Sequence, residues 1–103
     1  MVVISVLYPK TGESHFDYDY YLQKHMPLVR SRLQPMGLTT DVLIRGTSTL
    51  EGGQPGFELI GFLTFHSAEQ VQAALAAFGK EIIEDIPNFT NVSPLIQMND
   101  LIS

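Results

Sequence analysis

The chain of 103 residues contains no cysteine. Without thiols there is no disulfide framework, no thiolate nucleophile and no cysteine-ligated metal. Basic residues are few: six Lys and Arg stand against eleven Asp and Glu, giving a net charge of −5. The six cations are scattered rather than clustered, which argues against nucleic acid or an anionic membrane surface as a main partner. The three histidines, at positions 15, 25 and 66, show no metal-binding spacing, so no metal site is expected. No Gly-x-Ser-x-Gly elbow presents a serine, and hydrolase chemistry is not expected. There is no Gly-x-Gly-x-x-Gly after a strand and no flavin signature, so no cofactor is expected either. Met1 leads straight into Val2-Val3-Ile4 without a basic leader or cleavage pattern, and no apolar run reaches transmembrane length. The expectation is a cytoplasmic protein.

What the chain does have is apolar surface. Hydrophobic residues make up 45% and charged residues only 17%. One domain, residues 1–103, is all this length supports. Such a domain buries roughly 60–65% of its unfolded surface, so the apolar surplus points to association.

The chain is organised around Phe16 to Val29. Wound as a helix at about 100° per residue, Tyr18, Tyr21, Leu22, His25, Leu28, Val29 and Arg32 share one side, and Asp19, Gln23, Lys24, Arg30 and Ser31 the other. His25 lies within the apolar stripe, where it must face the core or a pocket. Asp17 is a good N-cap, Phe16 can pack on Tyr21 as a hydrophobic staple, and Asp19 suits the positive end of the dipole. Pro27 cannot donate to the carbonyl of Gln23, which predicts a kink just after His25. A lone histidine on an apolar stripe is most often a satisfied core residue. Tyr21 and His25, however, are i and i+4 neighbours, so a hydroxyl and an imidazole can line one cavity wall.

Four strand signals surround the helical ones. Val2 to Tyr8 is β-branched and apolar on both faces. Leu38 to Arg45 follows the breakers Pro35 and Gly37, with Leu38, Thr40, Val42 and Ile44 on one face and the more polar Thr39, Asp41, Leu43 and Arg45 on the other. Residues 46–56, with four glycines and a proline, form a hairpin loop. Phe57 to Phe65 is the strongest strand, with Phe57, Leu59, Gly61, Leu63 and Phe65 opposite Ile60 and Phe62. Ser67 and Gln70 read as a capping box, opening a helix with Val71, Ala74, Leu75 and Phe78 inward that stops near Gly79. A further turn, Lys80 to Ile86, precedes the loop 87–91, and Val92 to Leu101 is the last strand. The order βαββαβ predicts an α+β ferredoxin-like sandwich, a four-stranded antiparallel sheet with both helices on one face. The other face would be apolar and uncovered, which predicts a homodimer closed sheet to sheet into a barrel-like core.

Glu81, Glu84 and Asp85 cluster before the loop, and the first two read as a solvated acidic turn. Asp85 differs because it precedes Ile86-Pro87-Asn88-Phe89, where a carboxylate could orient a histidine if the fold joins them.

Leu-Tyr-Pro at 7–9, Phe-Asp-Tyr-Asp-Tyr-Tyr at 16–21, Lys-His-Met-Pro-Leu-Val at 24–29 and Asp-Ile-Pro-Asn-Phe-Thr-Asn at 85–91 resemble the EthD family. That family is named for a protein of ethyl tert-butyl ether degradation, and many members carry the label reductase. The resemblance spans nearly the whole chain and implies a dimeric α+β barrel, a superfamily shared with muconolactone isomerases, antibiotic-biosynthesis monooxygenases and some polyketide cyclases. Some of these act on aromatic or quinone-like compounds with pocket residues alone, and others bind haem, for which one axial histidine such as His25 would suffice. The expected function is a small-molecule pocket protein of oxidative catabolism or specialised metabolism. It takes a small hydrophobic or aromatic ligand and carries out acid/base or oxidoreductase-type chemistry on an aromatic, quinone-like or carbonyl compound, with His25 as general acid or base, Tyr21 and Tyr8 on the substrate oxygen, and Asp85 or Asn88 as orienting or substrate-binding groups. Two other readings compete: a non-catalytic accessory protein that delivers a hydrophobic metabolite to an oxygenase, and a purely structural His25 at the helix-sheet interface.

Overall fold

In the computed structural model, which describes all residues from Met1 to Ser103, four strands form one antiparallel sheet. Strands β1 (Val2–Pro9), β2 (Leu38–Arg45), β3 (Phe57–Phe65) and β4 (Leu95–Asp100) lie in the order β2-β3-β1-β4. Helices α1 (Tyr18–Tyr20), α2 (Met26–Leu33) and α3 (Ala68–Asp85) cover one face. This is the expected ferredoxin-like α+β sandwich. No helix is long and apolar enough to cross a membrane.

The alternation along β1 decides which side chains meet the helices. Val2, Ile4 and Tyr8 are buried beneath them, in register with Phe65, Leu63 and Leu59 of β3. Val3, Ser5 and Leu7 point the other way, beside Thr64, Phe62 and Ile60. No element covers this second face. Val42, at 53% exposure, and Ile44 stand on it in register with Phe62 and Ile60.

Strand β2 departs from its sequence pattern. The pairing slips between Leu38 and Thr40, so Thr39 is an extra residue in the ladder and the alternation reverses there. Leu38 therefore joins the core while Thr40, Val42 and Ile44 face outward. The more polar set, Asp41, Leu43 and Arg45, turns toward the helices. Their charges are met there: Arg30 of α2 forks onto Asp41 at 2.8 and 2.9 Å, and the Arg45 guanidinium lies 4.6 Å from the centre of the Tyr18 ring.

The expected kink at Pro27 is a π-helical turn, Tyr21–His25, set between α1 and α2. Met26 donates to the Tyr21 carbonyl, five residues back. Widening the helix ahead of Pro27 accommodates the carbonyl that the proline ring would otherwise strike. The extra residue also shifts the buried stripe to Tyr21, His25, Met26, Val29 and Leu33, leaving Leu22 half exposed on the surface. Gly37, at φ 111°, ends the helical run in the left-handed region, with the side chain of Gln70 where a Cβ would stand.

Helix α3 starts as the capping residues require: Ser67 accepts from the Gln70 amide at 3.2 Å, and the Gln70 side chain accepts from the His66 amide at 3.1 Å. It does not stop near Gly79 but runs unbroken to Asp85. A helical glycine costs only about 1 kcal/mol, and burial of Ile86 with partial burial of Ile82 outweighs it. Strand β4 begins only at Leu95, because Pro94 has no N–H to give to the ladder.

Candidate functional site

The loop after α3 is stitched to the segment that opens α1. Phe16 and Thr90 form an isolated bridge, Asp17 donates its amide to the Phe89 carbonyl at 2.7 Å, and the Thr90 hydroxyl donates to the His15 carbonyl at 2.7 Å. Asn91 closes the seam by accepting from the His15 amide and donating to the Glu13 carbonyl. Asp17 also caps α1, accepting from the Tyr20 amide. These bonds place the end of α3 against the π turn and bring residues 60 positions apart together.

The result is a His-Asp pair whose imidazole is buried and whose carboxylate is partly so. His25 Nδ1 lies 2.9 Å from Asp85 Oδ2. The other carboxylate oxygen, Oδ1, accepts from the Tyr20 hydroxyl at 2.6 Å and from the Asn88 side-chain amide at 3.0 Å. Asn88 also donates to the Tyr20 oxygen at 3.3 Å. The imidazole is 3% exposed, stacked on Tyr21 at 5.6 Å between centroids and tilted against Phe89 at 4.5 Å. Burial pushes the His25 pKa below its ordinary value, opposed by the hydrogen bond and charge of Asp85. Burial pushes the Asp85 carboxyl up, but hydrogen bonds from Tyr20, His25 and Asn88 outweigh it and the net shift is down. A neutral imidazole beside a carboxylate donates from Nδ1 and keeps its lone pair on Nε2.

His25, Tyr8 and Tyr21 line an apolar cavity of about 80 Å³ between sheet and helices, walled by Ile4, Val6, Met26, Leu63 and Ile86 among others. Nε2 of His25 and the hydroxyls of Tyr8 and Tyr21 make no hydrogen bond to protein. No side-chain nitrogen or oxygen is both sealed from solvent and unpartnered, so each of these three atoms keeps some accessible area, on residues that line the cavity. Burial raises the pKa of both phenols far above the ordinary tyrosine value, and they stay protonated as donors. Gly61 keeps the opposite wall open: a Cβ there would stand 3.6 Å from the Tyr21 hydroxyl.

The sequence-predicted residues therefore divide. His25, Tyr8 and Tyr21 meet at the cavity. Asp85 and Asn88 lie behind the imidazole and do not line the cavity, a position suited to orienting the ring rather than touching a ligand. Tyr20 is the residue that sequence reasoning passed over. In a regular helix, residues five apart point to different sides; the π turn brings Tyr20 and His25 onto one carboxylate, and the proline two residues after His25 is the only sequence signal for that turn.

Tyr20→Phe is expected to raise the His25 pKa. Removing the phenol leaves more of the Asp85 charge to stabilise the imidazolium. Imidazole NMR titration of His25 in wild type and variant checks it; an unchanged or lowered value would mean the phenol does not modulate the pair.

No family model matches the chain, and no curated protein matches it significantly. Among solved structures, an EthD-like protein of Ralstonia eutropha JMP134 matches with a TM-score of 0.91 and 31% identity, over 99% of this chain and 92% of its own. The chain belongs to the EthD family. A second EthD family protein, from Bacillus halodurans C-125, shares the fold with a TM-score of 0.71 at 20% identity, covering 99% of both chains. A dimeric ferredoxin-like protein from an uncultured marine organism matches at 0.57 and 16% identity, over 100% of this chain and 96% of its own. Nowhere in this EthD protein do three or more His, Asp or Glu side chains converge as metal ligands would.

Proposed function

We propose that this EthD-family chain binds a small aromatic, quinone-like or carbonyl compound and that His25 is its general base. The observation behind this is the unpartnered Nε2 at the end of the Asp85–His25 pair, on a buried imidazole that lines an apolar cavity. Asp85 fixes the tautomer, Tyr20 and Asn88 hold Asp85, and Nε2 removes a proton from a C–H beside the ligand carbonyl or from an O–H. The electron pair of a broken C–H bond moves to the carbonyl oxygen as an enolate. Tyr8 and Tyr21 donate to that oxygen, and the imidazolium returns the proton at a second position. No electron donor or oxidant enters this balance. A thermal-shift screen of quinones, hydroxy-aromatics and cyclic diketones against wild type and His25→Ala tests it, with a ligand-induced rise in Tm expected only where the imidazole is present.

The same reading includes a homodimer. The uncovered sheet face carries Leu7, Val42, Ile44, Ile60 and Phe62, an apolar set that a second copy would bury at the roughly 10 Å spacing of packed sheets. A fold neighbour described as dimeric is consistent with it. Phe62→Asp is expected to give a species of half the mass by light scattering with unchanged far-UV circular dichroism. A wild type already monomeric at micromolar concentration would remove the dimer.

A further inference from the structure

A second space adjoins the cavity. Ile83 and Ile86 at the end of the helical layer and Ile96 of β4 line both the cavity and an open groove of about 370 Å³, which runs along Pro87, Thr90, Asn91, Val92, Ser93 and Pro94. These three isoleucines stand between the two spaces, where a neck would have to pass. Ile83 and Ile96 are about half exposed, so neither is locked in place by packing. The cavity itself, about 80 Å³, is roughly half of one that holds a benzene ring, ~150 Å³. A ring whose oxygen reaches Nε2 and the two phenols would therefore extend into the neck.

Charge narrows the ligand further. Neither cavity nor groove is lined by any Asp, Glu, Lys or Arg. The Asp85 carboxylate lies one imidazole ring from the polar end, and near Tyr21 the Arg30 and Asp41 charges, bonded to each other, act with opposite signs. A carboxylate ligand would be stripped of water with no cation in the lining to pair with, Arg30 being taken up by Asp41, and would face the Asp85 charge. An uncharged hydroxyl or carbonyl meets complementary groups instead, a lone pair on Nε2 and two phenolic donors.

We infer that the ligand is an uncharged phenol or ketone with an alkyl or aryl extension, its oxygen at His25, Tyr8 and Tyr21 and its extension passing the isoleucine neck into the groove beside Ser93. This rests on the cavity being the ligand site, as proposed above, and adds that it is open-ended and selects against anions.

The test is calorimetric titration of the full chain with 4-alkylphenols from methyl to hexyl and with the matching 4-alkylbenzoates. Affinity is expected to rise about threefold to fourfold for each added methylene, and each benzoate to bind at least a hundredfold more weakly than its phenol. Ser93→Trp, at an exposed position in the groove, is expected to flatten the chain-length gradient. Affinity independent of chain length, benzoates binding as well as phenols, a gradient that survives Ser93→Trp, or no binding across the series would each overturn the inference. Its failure separates from that of the general-base reading. A gradient that persists unchanged in His25→Ala keeps the open-ended site and removes the base, whereas His25-dependent binding without a gradient does the reverse.

Discussion

Substituting His25 with alanine is expected to slow deuterium exchange at the α-carbon of a bound cyclic 1,3-diketone by about a hundred- to ten-thousand-fold, the usual contribution of a positioned general base. The protein offers no second base at the cavity: both phenols stay protonated, and Asp85 is reached only through the imidazole. The pH profile carries the same signature. Burial holds the folded-state pKa of His25 below its ordinary 6.5, so the wild-type rate should rise with pH through that lowered value and be flat above about pH 6.5. Stability should follow in the same direction. Where the folded pKa is depressed, the unfolded chain takes up the proton first, so folding free energy is lost as pH falls from about 6.5 toward the lowered value. Proton NMR of the exchanging ketone across this range makes the measurement. A ligand that binds without accelerated exchange in wild type would leave the protein as a carrier, and a loss of Tm on His25→Ala with no change in ligand affinity or exchange would make the residue structural.

Phe89→Ala is expected to destabilise the fold by about 3–5 kcal/mol, the range for truncating a fully buried phenylalanine. At this chain length that lowers Tm by roughly 15 °C or more. The side chain is 1% exposed and its ring lies within 6.2 Å, centre to centre, of Tyr8, Phe16, Tyr20, Tyr21 and His25. It joins the loop after α3 to strand β1 and the π turn at once, so its cavity has no single neighbour able to collapse into it. Thermal denaturation followed by circular dichroism gives the number. A drop of only a few degrees would show that the aromatic cluster repacks around the hole. The effect should also reach the site, because the imidazole loses the face it leans on while keeping Asp85.

These expectations differ in how far each was legible beforehand. Sequence periodicity reveals the four strands and the two helical layers because each element writes its buried face into the chain at a period of about 2 or 3.6 residues. It misreads β2 because one extra residue, Thr39, reverses inside and outside for everything after it, and no local pattern marks where a ladder slips. It misreads Gly79 as a stop because propensity is local, whereas the burial that carries α3 through it is not.

The sequence by itself determined the βαββαβ order, the apolar surplus on a second sheet face, and His25 on a buried stripe beside Tyr21. All of these follow from side-chain chemistry at near-neighbour spacing. Only the tertiary structure decided that Asp85 meets His25, that Tyr20 rather than the ligand holds that carboxylate with Asn88, and that Nε2, Tyr8 and Tyr21 share one cavity. Those contacts depend on the seam between residues 13–17 and 89–91 and on a π turn that re-aims two side chains, and long-range geometry of that kind has no period along the chain to read.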